Sequence, residues 1–213
     1  PGQQRTDLRI KIMQNQENDG KDGASNILLK RMDLGLPDPE FNETIAKFTK
    51  AIEQDPQDAS SYLCRGMAYS KVVIYGKLIQ AFNKGIDELD AENANVNDNQ
   101  HTAQLLDSYC DKAIQDFIKT IELDPVNPIA YELRGRMHLH KGQYDAAIAD
   151  CTKAIELDAK NLEAYEGRAM AHFRNNHLEE AWSDVEACQR RNRDVNPEFL
   201  AVLYKASEEP NGR

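Results

Sequence analysis

The sequence predicts an all-α solenoid of antiparallel helix pairs, carrying an irregular long-helix insertion and closed by a C-terminal capping helix. Three observations point to it. Segments recur at a period of about 34 residues, each recurring half carries apolar residues on a helical spacing, and small residues stand at fixed places where neighbouring helices must approach closely.

The recurrence is read directly from the chain. Tyr131 to His138 returns as Tyr165 to His172, and Asp145 to Asp158 answers Asp111 to Asp124, with Asn42 to Pro56 as a third copy. Each unit is two amphipathic helices joined by a turn. Gly135 and Ala169 leave room for a facing helix, Ala147 and Ala181 do so on the second helices, and Pro56 and Pro125 end the helices before them because they lack an amide donor.

These residues resemble the tetratricopeptide-repeat family, whose pattern is an aromatic, a small residue, a second aromatic, then Ala, a bulky apolar residue and a closing Pro. In one unit the roles fall to Tyr131, Gly135, His138, Ala147, Cys151 and Ala154, with Gly142 at the turn, and in the next to Tyr165, Ala169, His172, Ala181, Val185 and Cys188. Tyr62, Gly66 and Tyr69 mark an earlier first helix, and Thr44, Phe48, Ala51 and Pro56, or Ala113, Phe117 and Pro125, mark second helices. The resemblance covers roughly residues 40 to 195 and implies a right-handed superhelix that acts in protein binding.

The expected organisation is an irregular N-terminal extension over 1–24, a degenerate repeat over 25–58 whose first helix is Ser25 to Leu34, and an enlarged unit over 59–127. Regular repeats over 128–161 and 162–195 follow, then a capping helix and tail over 196–213. The enlarged unit has two readings. Helices from about Ser60 to Asp90 and about His101 to Leu123 form a projecting hairpin, or the run around Phe82 to Ala91 is a further degenerate repeat. The hairpin is preferred, since Asn93 to Gln100 is too polar for a packed helix and reads as a loop. Leu105, Leu106, Tyr109, Ile114, Phe117, Ile118 and Ile121 give the second arm an apolar face, while Gly76 and Gly85 weaken the first. In the last segment Phe199, Leu200, Val202 and Leu203 recur on a helical period, as a cap or as a partner-binding helix.

Charge and composition narrow the function. The 26 Lys and Arg against 36 Asp and Glu give a formal charge of −10, which disfavours nucleic acid as a partner. The basic cluster Arg190, Arg191 and Arg193 follows a helical segment, where cations complement the negative end of the helix dipole. No apolar run is long enough for a membrane span, so no membrane insertion is expected. The chain begins at Pro1, consistent with loss of an initiator Met, leader or tag. Cys64, Cys110, Cys151 and Cys188 lack zinc spacing and read as buried free thiols, which favours a reducing, cytoplasmic setting, with export after removal of a leader left open.

Catalytic, metal and cofactor sites are not predicted. His138 and His172 fill a packing slot, and His140, two residues from His138, diverges from it on a helix. Arg65, Arg134 and Arg168 recur at one slot and Asp116, Asp150 and Asp184 at another, which argues for pairs within or between repeats that fix packing. A branch of the family clamps the C-terminal carboxylate of Hsp70 or Hsp90 with Asn, Lys and Arg, but the matching positions here are Leu133, Glu163 and Gly167.

The resemblance implies that first helices line a concave groove. The repeat phase puts Ser60, Leu63, Met67, Ile129, Glu132, Arg136, Leu139, Glu163, Glu166, Met170 and Phe173 on it. Apolar anchors beside acids suit a peptide or helix of apolar and basic character, unless the chain's own termini fill the groove. The expected function is a non-catalytic scaffold or adaptor; a regulatory or assembly subunit of an enzyme or envelope complex, and an enzyme with an unrecognised site, are the alternatives. The oligomeric state is left open.

Overall fold

Eight helices make up the described residues, 39–89 and 96–208 of the computed structural model, with the side chains of 39, 79, 81–89 and 96–101 outside that description. They are α1 (Pro39–Gln54), α2 (Ala59–Leu89), α3 (Val96–Leu123), α4 (Pro128–His140), α5 (Tyr144–Leu157), α6 (Leu162–Arg174), α7 (Leu178–Gln189) and α8 (Pro197–Glu208). The expected N-terminal extension and the helix from Ser25 to Leu34 lie outside the described residues.

Local chemistry sets the boundaries. Asn127 and Asn161 accept from the amides of Ala130 and Ala164 at 3.2 and 2.9 Å, capping α4 and α6 where the first amides lack partners. Asp58 does the same for α2, accepting from the Ser60 amide and the Ser61 hydroxyl. The turns inside the repeats pass through a left-handed residue, Gly142 at φ 73° and, one period on, Asn176 at φ 62°. Asn is among the few side chains that tolerate this conformation.

Consecutive helices pack against one another along the chain, and the first helices α4 and α6 also touch. The packing rests on a small residue facing a large one. A Cβ on Gly66 would stand 2.7 Å from the Phe117 ring, and one on Gly135 would stand 3.0 Å from Cys151 Sγ and 3.3 Å from the Ala147 carbonyl. One apolar cluster joins Val73, Cys110, Ile114, Phe117 and Met137; another joins Ala169, Val185, Cys188, Val195 and Leu203.

Helices α2 and α3 run to 31 and 28 residues, against 13 and 14 for α4 and α5. They are antiparallel, with Gly66 against Phe117, Tyr69 on Tyr109 at 5.8 Å, and Gly76 against Leu106. Two expectations are corrected. Gly76 does not interrupt α2; it is where Leu106 lies against the backbone, and a Cβ there would overlap Leu106 Cδ2. The polar stretch from Asn93 to Gln100 is helical from Val96 onward, because extending a helix already held by packing costs only about half a kcal/mol per residue of modest propensity.

The C-terminal helix caps the last pair. Leu203 is fully buried, Phe199 and Leu200 pack beside it, and Trp182 donates its indole N–H to Ser207 Oγ at 2.8 Å while its ring meets Tyr204 edge-on. Val202, expected on the same face, is exposed. Three of the cysteines are buried and Cys64 is half-buried, with burial pushing Cys110 up to about 11 and Cys151 up to about 12.

Gly135→Leu should lower stability by roughly 1–3 kcal/mol through overpacking against Cys151 and the Ala147 carbonyl; an unchanged denaturation midpoint would contradict the assigned crossing. The ring of His140, the residue that ends α4, is held down to about 4 from 6.5 by burial, aided by Lys77 and Arg136. Its folded-state pKa is depressed, so its neutral form contributes fully above pH 6.5, and that contribution is lost as the pH falls from 6.5 toward 4. His140→Phe should flatten this part of the pH–stability curve; parallel curves for variant and parent would contradict it.

Candidate partner-binding groove

Each first helix is held at one orientation by a repeated Tyr, Arg and Asp. Arg65 donates to both oxygens of Asp116 at 2.8 and 2.7 Å, Arg134 to Asp150 at 2.8 and 2.7 Å, and Arg168 to Asp184 at 2.9 and 2.7 Å. The guanidinium carbons lie 5.8, 5.6 and 5.6 Å from the rings of Tyr62, Tyr131 and Tyr165. All three pairs join the two helices of one unit. Arg65 and Arg168 also reach back to the unit before, donating to Thr49 and Thr152 at 3.2 and 3.0 Å, where Ile118 stands at the intervening position. Planar bidentate pairing fixes rotation as well as distance. The opposite side of each first helix is thereby turned outward.

The residues assigned to the groove have unequal surroundings. Met67 and Ile129 are exposed at 38% and 49%, and Ser60 and Glu163 are exposed too. Leu63 is half-buried against the core cluster that contains Phe117, and Arg136, Leu139, Glu166, Met170 and Phe173 are half-buried. Glu132 is buried. Its carboxyl is held above the usual range by that burial, opposed by Arg136, which donates to it at 3.4 Å.

A partner for the C-terminal acids comes from the chain itself. Arg193, in the connection between α7 and α8, donates to Glu163 at 2.7 Å and to Glu166 at 3.3 Å. The carboxyl of Glu163 sits below its ordinary range, first through a hydrogen bond to its own backbone amide near the start of α6, with Arg193 adding to it. Phe173 meets Phe199 edge-on at 5.7 Å. Sequence reasoning placed Arg193 with its basic neighbours at a helix end. That role belongs to Arg191, which donates to the Ala187 carbonyl at 2.8 Å, and the signal for Arg193 was the pair of acids almost one period earlier.

The histidines have structural surroundings. His138 Nδ1 lies 2.6 Å from Gln143 Oε1, and His172, held below its usual range by burial, has its Nδ1 buried without a partner among the described residues. No group of three His, Cys, Asp or Glu able to hold a metal ion occurs among the described residues. No described helix is long and apolar enough to cross a membrane.

Two family models, both described as tetratricopeptide repeat, match residues 47–85 and 128–161. No curated protein matches the chain. Among solved structures, it is similar to the first TPR of Spaghetti (RPAP3) bound to the HSP90 peptide SRMEEVD, with 29% identity, 52% of this chain and 84% of that chain covered, and a TM-score of 0.43. Another is the TPR2AB-domain:pHSP90 complex of yeast Sti1, at 21% identity, 88% and 86% coverage and a TM-score of 0.43. TTC0263, a thermophilic TPR protein in Thermus thermophilus, follows at 15% identity, 85% and 95% coverage and a TM-score of 0.41. With two matched segments and helix pairs clamped at the repeat period, the chain resembles the tetratricopeptide-repeat family and has its all-α solenoid fold.

Proposed function

We propose that this protein is a non-catalytic adaptor that binds a segment of another protein along the outward side of its first helices. The observation that carries the reading is the exposure of Met67 and Ile129, large apolar side chains on the side of α2 and α4 turned away from the Arg–Asp pairs. Such residues, on helices whose orientation is fixed, offer an apolar strip whose conformational cost is already met. Met170 lies in phase with Met67 and adds an adaptable contact.

The proposed ligand is a peptide or helix with apolar anchors and a basic residue. Arg193 indicates the chemistry that Glu163 and Glu166 accept, a guanidinium, and a partner's basic side chain would compete with it there. Carboxylate-terminated tails are not the proposed ligand, since Leu133, Glu163 and Gly167 stand where a clamp needs Asn, Lys and Arg.

Ile129→Lys combined with Met170→Lys should abolish capture of the partner from the native source, with helical circular dichroism unchanged. Arg193→Ala should strengthen capture by freeing the two acids. Equal capture by the parent and by the folded double-lysine variant would show that this strip is not the binding surface.

A further inference from the structure

The turn that closes each regular repeat is built twice, with one change. In the first, His138 Nδ1 lies 2.6 Å from Gln143 Oε1, and the Gln143 amide donates to the His138 carbonyl at 2.9 Å. One period on, the His177 amide donates to the His172 carbonyl at 2.8 Å and Asn176 takes the left-handed conformation of Gly142, so the backbone of the turn is repeated. The side chain in the place of Gln143 is now an imidazole. His172 keeps its slot, but its Nδ1 is buried without a partner, the one such side-chain nitrogen or oxygen among the described residues. Burial has removed the water from this atom and no side chain replaces it, which points to a ligand that the chain does not supply.

The two rings are spaced for a shared cation. Their centres are 5.8 Å apart, with the planes inclined at 46°. Two imidazoles bound through one nitrogen each to a single ion at about 2.0–2.1 Å have their centres about 5–6.5 Å apart, for bond angles from tetrahedral to linear. His177 is exposed and, as the residue before α7, makes no side-chain capping bond, so its ring is at liberty to bind. Burial holds His172 below its usual range, which keeps its imidazole neutral and its lone pair available at neutral pH. Asp184 and Glu180 act on the same ring and offset the charge of Arg168 and of an arriving cation. In the parallel slot His138 turns Nε2 to within 3.8 Å of Asp150, the arrangement by which a carboxylate steadies a metal-binding imidazole. No third His, Cys, Asp or Glu is grouped with the pair among the described residues, so the remaining positions around the ion fall to water.

We infer that His172 and His177 form a binding site for a divalent late transition-metal cation, of the class that imidazole favours, across the turn between α6 and α7. The ion ties the end of α6 to the start of α7, in the unit on which the C-terminal cap rests. The site is separate from Met67, Ile129 and Met170, so it stands or falls independently of the adaptor reading.

Zn²⁺ is the probe, because it has no redox chemistry with the free thiols. Calorimetric titration of the full chain above neutral pH should show uptake of one ion, and His177→Gln should weaken it about tenfold or more. That variant rebuilds the arrangement at Gln143, so its helical circular dichroism should match the parent's. Gln143→His should create the same pair with His138 and raise the uptake from one ion to two. Imidazole nitrogen NMR should show His172 and His177 shifting on addition of Zn²⁺, with His138 and His140 unmoved. Equal affinity in the parent and in His177→Gln, no second ion in a folded Gln143→His variant, or no uptake by the parent would each overturn the inference.

Discussion

The structure depends on the crossing between the two helices of each unit, where a residue without a bulky side chain lets a first helix reach its partner and an Arg–Asp pair locks the approach. Gly66 admits Phe117 and Gly135 admits Cys151, while Ala169 shares a cluster with Val185. The ion pairs beside these contacts are mostly buried, and such pairs add more to uniqueness than to net stability, while removing one partner leaves an uncompensated charge at a cost of about 3–5 kcal/mol when burial is full. Each crossing thus has one rotation available to it. Which residues face outward follows from that rotation.

Much of this was legible in the sequence because repetition multiplies weak signals. A single Arg or Gly carries little information, but Arg65, Arg134 and Arg168 falling in one slot, with Asp116, Asp150 and Asp184 in another, imply a shared geometry, and the long helices α2 and α3 could be placed from their apolar periodicity. What escaped was aperiodic. Arg193 sits in a connection, so no periodic pattern pointed it at Glu163 and Glu166. Gly76 read as a helix weakness because its counterpart Leu106 is distant in sequence, and the helical start at Val96 defied a polar stretch whose propensity is outweighed by the helix it extends. Phe173, placed on the groove by its phase, also meets Phe199 of the cap edge-on, a contact from outside the repeat that periodicity does not indicate.

These departures give the candidate groove two dissimilar ends. Toward α6 and α8 the chain satisfies its own acids with Arg193 and covers Phe173 with Phe199. Toward α1 and α2, Met67 is exposed beside a groove lined by Phe41 and Phe48.

We place recognition on the outward side of the first helices, with the C-terminal cap serving structure. Amide hydrogen exchange on the protein free and saturated with its captured partner tests this most directly. Partner binding should slow exchange across Cys64–Lys71, the start of α4 and α6 around Met170, with the amides of α8 unchanged. Protection confined to α8, or to the distal parts of α2 and α3, would contradict it.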